Sequence, residues 1–277
     1  MSLVCVVTAC SERRGFGWRA AAELHRRGHL VVATMRDVGG RNREAAEELG
    51  GLAEVHELDV TNDAGVERVV AAVLERHGRL DAVVNNAARV VMGALEDATV
   101  ESLRATLDAN VLGPHRLIRA VLPHFRGRGS GVIVQICSVS GYVVSPLFGG
   151  YCTSKYAMEA YSEALAYEVG HFGVRVAIVE PGAFDTGLHA RSAWEPGSAD
   201  SPYAPLKRRE WDDELDEWVA GMGDPDEVAR AIADAVEDPA TPLHVSVGED
   251  AVEYAARTRP LSDDDRRHEA FADPGNW

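Results

Sequence analysis

The architecture of this chain can be read from residues 3–35, LVCVVTACSERRGFGWRAAAELHRRGHLVVATM. A short apolar run over residues 3–8 leads into a glycine-bearing turn, a helical pattern over residues 18–27 and a β-branched run over residues 30–35. A strand, a helix and a second strand in this order form a βαβ unit, whose two strands lie parallel in one sheet. These residues therefore predict an α/β protein.

The same alternation continues to residue 247 and predicts one doubly wound parallel sheet with helices on both faces. The further predicted strands are residues 55–59, 81–85, 131–138, 174–180 and 243–247, and the further predicted helices are residues 41–49, 64–77, 100–125, 151–172 and 226–236. In such a sheet, ligands bind in a crevice at the carboxyl ends of the strands. Functional side chains are therefore expected just after the strands.

We expect a single domain over residues 1–277 that carries a substrate lid. Residues 187–223 contain three prolines and scattered aromatic side chains, which interrupt the alternation and predict an insertion that covers the crevice. The polar and acidic tail at residues 262–277 predicts a solvated end of the chain.

Charge and composition limit the classes of partner. The formal net charge is −16 and the pI is about 5.0, which disfavours nucleic acid and membrane partners because phosphate backbones and anionic lipids are repelled. The sequence has no apolar run of the roughly 18 residues that span a bilayer and no signal-peptide pattern. We expect a cytoplasmic protein with free thiols, and we expect no metal site because the histidines lack ligand spacing.

The turn after the first strand, TACSERRGFGW at residues 8–18, predicts a dinucleotide site. A helix that begins near Gly17 directs backbone N–H groups and the positive end of its dipole towards a pyrophosphate. Asp59 and Val60 follow the third strand, and Asn86 and Ala87 follow the fourth. The adenine and the nicotinamide-side ribose of such a ligand would lie at these strand ends.

The catalytic signal lies in ICSVSGYVVSPLFGGYCTSKYAMEAYSEAL, residues 136–165. Ser138 ends an apolar strand, Tyr151 follows thirteen residues later and Lys155 lies four residues beyond it, on the same helix face. A free tyrosine has a pKa near 10, and a neighbouring ammonium favours the phenolate and lowers that pKa. The pair of Tyr151 and Lys155 is therefore suited to proton exchange, and Cys152 beside Tyr151 is interpreted as packing.

These motifs resemble the short-chain dehydrogenase/reductase family over residues 3–248, and the resemblance implies a Rossmann-like fold and four catalytic residues. Tyr151 would be the general acid towards a carbonyl oxygen, with Ser138 hydrogen-bonded to the same oxygen. Lys155 would hold the cofactor ribose and tune Tyr151. Asn110, in the LDANVLG segment, would hold a water that links Lys155 to solvent.

The cofactor implied by the resemblance is NADP(H), bound by residues at the strand ends. The expected contacts are Thr8, Ser11, Arg14, Gly15, Phe16, Gly17, Arg36, Asp59, Val60, Asn86, Ala87, Pro181, Gly182 and Thr186, together with Tyr151 and Lys155. Arg14 and Arg36 favour NADP(H) because guanidinium groups suit the 2′-phosphate. Asp37 indicates the alternative, a carboxylate that binds the ribose diol of NAD.

The turn departs from the family pattern T-G-x-x-x-G-x-G. Ala9 stands where the first glycine belongs, and two extra residues precede Gly15 and Gly17. Because alanine tolerates a positive φ poorly, we expect the turn to take another path.

The substrate is expected to be a small carbonyl or alcohol compound with apolar or aromatic character, such as a polyketide, a steroid or another secondary metabolite. Ser140, Phe148, Phe184 and Trp194 are the expected substrate contacts. Three functions stay open: a ketoreductase, an epimerase, dehydratase or cyclase on the same fold, and a non-catalytic dinucleotide sensor. The resemblance also implies a homodimer or homotetramer.

Overall fold

The structure is a computed structural model that describes residues 2–187, 192–195, 200–212, 219 and 221–258. The predicted tail at residues 262–277 and parts of the predicted lid at residues 187–223 lie outside the described residues.

A parallel sheet of seven strands forms the centre of the molecule, in the order β3-β2-β1-β4-β6-β7-β9. Its strands are β1 (Val4–Val7), β2 (Leu30–Met35), β3 (Glu54–Glu57), β4 (Ala82–Asn85), β6 (Gly131–Ile136), β7 (Val174–Pro181) and β9 (His244–Val247). Two further strands, β5 (Val91–Met92) and β8 (Ala193–Trp194), pair in parallel as a separate small sheet. The predicted doubly wound, Rossmann-like sheet is confirmed.

Helices cover both faces of the sheet. They are α1 (Phe16–Arg26), α2 (Arg43–Leu49), α3 (Asp63–His77), α4 (Val100–Leu107), α5 (Gly113–Arg128), α6 (Gly149–Gly170), α7 (Ala204–Lys207), α8 (Pro225–Glu237) and α9 (Glu249–Thr258). None of the helices in the described ranges is long and apolar enough to cross a membrane.

Alternating strand residues divide the core into two layers. On β1, Val7 packs in the layer with α1 and α8, whereas Val6 packs in the layer with α3, α5 and α6. The strand register aligns Val7 with Ala33 on β2 and with Val84 on β4. Because the strands are parallel and in register, the residues that follow them meet along one edge of the sheet.

The long helix predicted over residues 100–125 is divided in the structure. A π-helical turn, Asp108–Leu112, separates α4 from α5, and Pro114 occupies the first turn of α5. Proline lacks a backbone N–H and its ring clashes with a preceding helical carbonyl, so it suits the start of a helix better than its interior. The small β5–β8 sheet and α9 were not predicted.

Candidate active site

The glycine-bearing turn keeps a left-handed residue at the position where the family pattern has glycine. Ala9 has a φ of 58°, so the expectation that the turn would avoid this conformation was wrong. The left-handed conformation costs an alanine roughly 1–2 kcal/mol, and the surrounding contacts hold it in place. The two extra residues lie in the loop before Gly15, where Gly15 N–H donates to Glu12 O at 2.8 Å.

Gly17 brings α1 close to the ends of β1 and β4. A Cβ at this position would lie 2.7 Å from Ala9 O and 2.5 Å from Asn86 Nδ2. Asn86 Nδ2 donates to Thr8 O at 2.8 Å, and Thr8 Oγ1 accepts from the backbone N–H of Asn86 and Ala87 at 2.9 and 3.0 Å. The predicted cofactor residues on these elements are thus hydrogen-bonded into one rigid corner.

The amino terminus of α1 has the properties of an anion site. Gly15 is its extended N-cap, and among the described residues no side chain caps the helix and no acid stands in its first turn. Unpaired amides and the positive end of the helix dipole favour phosphate. Ser11 lies half-buried in the turn before Gly15, and Phe16 packs edge-on against Phe184 with 5.8 Å between ring centroids.

Arg14 forms an ion pair across the crevice. Its Nη1 lies 3.2 Å from both carboxylate oxygens of Asp185, in the loop that follows β7. The predicted residue Pro181 ends β7, Gly182 begins that loop, and Thr186 is buried beside Asp185. The pair Arg14–Asp185 therefore joins the turn after β1 to the loop after β7.

The end of β2 carries the two side chains that are predicted to discriminate between the nicotinamide cofactors. Arg36 is exposed over 62% of its side chain and lies 4.0 Å from Asp59. Asp37 has a φ of 51°, and its carboxylate accepts the backbone N–H of Arg41 at 3.1 Å. One oxygen of the Asp37 carboxylate is thus hydrogen-bonded within its own turn, and both Arg36 and Asp37 are exposed to solvent.

Asp59 and Val60 follow β3 as predicted from the sequence. Burial raises the pKa of the Asp59 carboxyl, but hydrogen bonds from Thr61 and the charge of Arg36 outweigh it and hold this pKa below its ordinary value. Val60 packs against the backbone of Gly113 at the start of α5.

Tyr151, Lys155 and Ser138 come together at the carboxyl edge of the sheet. Tyr151 and Lys155 are both buried, and Lys155 Nζ lies 5.6 Å from the centroid of the Tyr151 ring. Lys155 Nζ donates to Ile136 O at 2.8 Å, which fixes the ammonium at the end of β6. Ser138 is hydrogen-bonded to Tyr151 through its side chain, and its Oγ accepts the backbone N–H of Ser140 at 3.2 Å.

Burial dominates the titration of Tyr151. It raises the pKa of the phenol above its ordinary value, while the Lys155 ammonium and the Ser138 hydrogen bond act in the opposite direction. The expected effect of the ammonium is present, but the expected net decrease in pKa is wrong because desolvation of the phenolate is larger. At neutral pH the phenol therefore carries its proton.

Asn110 lies in the π-helical turn between α4 and α5 and is buried. Its amide exchanges two hydrogen bonds with the backbone of Arg89, at 2.7 and 2.9 Å, and donates a third to Ser154 Oγ at 2.9 Å. Asn110 therefore ties the loop after β4 to α6, one residue before Lys155. Isolated π turns of this kind often occur at functional sites.

Aromatic side chains surround Tyr151 on its solvent side. The Phe148 ring centroid lies 6.3 Å from that of Tyr151 and 5.1 Å from that of Trp211, and Trp194 lies 6.1 Å from Trp211. Met92 and Val90 pack in the same cluster. Both were missed in the sequence, because a short apolar run does not show which side chains it will contact. Phe148 and Trp194 are thus placed in the cluster around Tyr151, and the Ser140 backbone N–H donates to Ser138 Oγ.

Phe184 is placed differently from the prediction. It is 6% exposed and belongs to the core layer between the sheet and α1, packed against Phe16. Its position makes it a core residue and corrects its assignment as a substrate contact.

A buried ionic cluster behind the site was missed in the sequence. His244 Nδ1 lies 2.6 Å from Glu180 Oε1 and 3.5 Å from Glu159 Oε2, and its Nε2 lies 3.2 Å from Glu163 Oε1. Glu159 lies one helical turn after Lys155, and Glu180 lies on β7. The cluster links β9, β7 and α6, and its members are too far apart in the sequence to be recognised there.

Comparison with known proteins decides the family. A family profile described as short chain dehydrogenase matches residues 3–196. The chain belongs to the short-chain dehydrogenase family. A short-chain dehydrogenase from Streptomyces avermitilis, of known crystal structure, is 36% identical, with a TM-score of 0.78 and coverage of 100% of this chain and 99% of that one.

Two further similar proteins have names that describe an activity. The 3-ketodihydrosphingosine reductase of Bacteroides thetaiotaomicron is 37% identical over 185 residues, which are 67% of this chain and 65% of that protein. This chain thus aligns with slightly less than two thirds of that relative. An alcohol dehydrogenase from Thermococcus sibiricus, solved with 5-hydroxy-NADP, is 26% identical with a TM-score of 0.69, covering 89% of this chain and 96% of that one.

Proposed function

We propose that this oxidoreductase is an NADP(H)-dependent ketoreductase that converts a ketone into a secondary alcohol on an apolar or aromatic small molecule. The observation that carries the proposal is the buried Tyr151 phenol. It is hydrogen-bonded to Ser138, lies beside the Lys155 ammonium and packs in an aromatic cluster. Such a site provides one proton donor, the Tyr151 phenol, for the carbonyl of a ligand that is otherwise apolar.

The protein's own part in the reaction is proton transfer. The nicotinamide dinucleotide supplies the hydride when it is bound. Tyr151 donates its proton to the carbonyl oxygen as negative charge develops there, and its raised pKa keeps that proton in place at neutral pH. Ser138 positions the oxygen by a hydrogen bond, and the Lys155 ammonium stabilises the phenolate that remains.

Asn110 is proposed to act on the lysine side of the site. Its hydrogen bonds to Arg89 and Ser154 hold the start of α6 against the loop after β4. This contact positions Lys155. A water held by the Asn110 turn would then link Lys155 to solvent, so that the proton given up by Tyr151 is replaced.

The residues present fit a nicotinamide dinucleotide, with NADP(H) favoured over NAD(H). The uncapped start of α1 and the Thr8–Asn86 corner suit the pyrophosphate and ribose. Arg36 is exposed at the end of β2, and one carboxylate oxygen of the neighbouring Asp37 is already engaged by the Arg41 backbone N–H. The Thermococcus sibiricus relative, solved with 5-hydroxy-NADP, supports the same choice.

Titration with NADPH and NADH tests the cofactor choice. We expect Arg36→Ser to weaken NADPH binding about 10-fold or more, because a charge-assisted phosphate contact contributes about 1.5–3 kcal/mol, and to leave NADH binding unchanged. Arg104→Ser, an exposed arginine on α4, is the control. Equal losses for both cofactors would contradict a phosphate contact by Arg36.

Product stoichiometry separates the ketoreductase from its rivals. An epimerase, dehydratase or cyclase would convert substrate without net NADPH consumption, and a dinucleotide sensor would bind NADPH without turnover. Loss of the first glycine in the turn favours these alternatives, but Ala9 keeps the left-handed conformation at that position. We expect one secondary alcohol per NADPH oxidised.

A homodimer or homotetramer belongs to the same proposal. Leu112, Tyr156, Tyr167 and Phe172 are large apolar side chains that are exposed on or beside α5 and α6. Exposed apolar side chains on neighbouring helices favour an interface. Light scattering coupled to size exclusion tests it, and a monomer would contradict it.

A further inference from the structure

An open groove lies beside the aromatic cluster. It has a volume of about 480 Å³, within the range of small-molecule sites. Its apolar lining comes from Leu95, Val144, Pro146, Leu147 and Leu206. Leu95 and Val144 are 64% and 66% exposed, so two large apolar side chains face solvent in the same depression.

The groove lies beside the candidate active site, on the loops that follow β5 and β6. Gly93 N–H donates to Leu147 O at 2.8 Å, which joins the two loops that form its walls. Met92 comes directly before the first of these loops, and Phe148 lies within the second. The side chains of both residues belong to the cluster around Tyr151. A ligand whose carbonyl meets Tyr151 would reach the groove past Phe148, whose ring centroid lies 6.3 Å from that of Tyr151.

Leu147 marks the groove as more than a surface irregularity. It has a φ of 65° and is 9% exposed. A branched side chain in the left-handed region is a genuine outlier, and such strain persists where the surrounding structure fixes it, often at ligand sites. Here the strained backbone holds a leucine side chain in the groove wall.

Two polar side chains at the rim of the groove are paired with each other. Tyr203 Oη donates to Glu96 Oε2 at 2.7 Å, so the hydroxyl and the carboxylate at the rim are mutually bonded. The negative charge of Glu96 disfavours an anionic ligand. An uncharged apolar group matches the remaining surface.

We propose that this groove binds an uncharged hydrocarbon tail of the substrate, so that the enzyme prefers ketones with a long apolar chain. The inference rests on the proposed ketoreductase function and names its substrate class. Complete burial of a methylene increases binding about fourfold, from about 0.8 kcal/mol for each group. Because the groove is open, each added methylene is expected to increase kcat/KM about twofold until the groove is filled.

Straight-chain methyl ketones from butanone to undecanone test the proposal. The measurement is kcat/KM at saturating NADPH as a function of chain length, for the wild type, Val144→Ser and Val252→Ser. Val252 is the matched control because it is 56% exposed, on α9, and does not line this groove. We expect a rising dependence for the wild type and Val252→Ser, and a flatter one for Val144→Ser.

A second variant, Leu147→Gly, removes the groove side chain and the backbone strain together. We expect it to lose chain-length dependence and to have a lower melting temperature, because the loss of a buried leucine side chain outweighs the relief of strain. Retained turnover of butanone, which is too short to fill the groove, separates a lost contact from unfolding.

The outcomes distinguish the tail site from the proposed function. Turnover that does not depend on chain length, or equal dependence in Val144→Ser and Val252→Ser, would overturn the tail site and leave the ketoreductase intact. Failure of every ketone to oxidise NADPH would overturn the proposed function, and the tail site with it.

Discussion

Replacement of Ala9 by glycine should stabilise this protein, although alanine-to-glycine changes usually destabilise. Ala9 has a φ of 58° and an exposed side chain, so the change relieves about 1–2 kcal/mol of left-handed strain and loses little packing. The greater freedom of glycine in the unfolded chain offsets about 0.4–1 kcal/mol. The expected net gain is about 0.5–1 kcal/mol, which raises the melting temperature by about 2 °C.

The assay is thermal and urea denaturation at one fixed protein concentration, because assembly would make stability depend on concentration. Ala105→Gly is the matched control, since Ala105 is exposed in the middle of α4. There the same change should cost about 0.5–1 kcal/mol. A loss of stability in Ala9→Gly equal to that in Ala105→Gly would refute the left-handed conformation of Ala9.

The remaining predictions concern packing and charge. Gly17→Ala should destabilise the protein and weaken NADPH binding at least 10-fold, because its Cβ would lie 2.5 Å from Asn86 Nδ2. Gly127→Ala, with open space around it in α5, should be neutral or stabilising by about 0.5 kcal/mol, and equal effects of the two changes would contradict the close approach at Gly17. Asp81→Asn should cost about 2–3 kcal/mol at pH 7, since this buried carboxylate accepts from two arginines and a backbone amide. Burial raises the pKa of Asp81 but these partners hold it below its ordinary value, so its stabilisation is complete above about pH 4 and is lost as pH falls below that; a gap between wild type and Asp81→Asn that stays constant from pH 7 to pH 3.5 in urea denaturation would contradict this.

The sheet was predictable because its strands are short and almost wholly apolar. Runs such as residues 30–35 fit a strand buried on both faces, and glycine-bearing turns separate them from helical patterns. The break before α5 was also signalled, because Pro114 stands inside the helix predicted over residues 100–125. The helix was nevertheless predicted as continuous, because the helical pattern of apolar residues extends on both sides of Pro114.

The candidate site was only partly predictable. The spacing of Ser138, Tyr151 and Lys155 follows from one strand and one helix, so local sequence is enough to place them. The net pKa direction of Tyr151 was missed because burial depends on residues 90–92 and on Trp194 and Trp211, which come from other loops. No local pattern announces those contacts.

Phe184 shows the opposite limit. Its aromatic side chain in a loop near the crevice suggested a substrate contact, yet the loop turns it into the core against Phe16. The carboxylates around His244 are a similar case, because three elements far apart in the chain bring them together. Tertiary packing, which a single sequence does not display, decides both.

The central claim is that the buried Tyr151 phenol protonates the carbonyl oxygen. The most direct test is the rate of NADPH-dependent ketone reduction in Tyr151→Phe, with NADPH affinity measured on the same sample. Tyr156→Phe, a change at a tyrosine that is 42% exposed on the same helix, is the control. We predict that Tyr151→Phe loses about 10²–10⁴-fold in kcat with NADPH affinity retained, and that Tyr156→Phe keeps its rate; ketone reduction at the wild-type rate in Tyr151→Phe would contradict the mechanism.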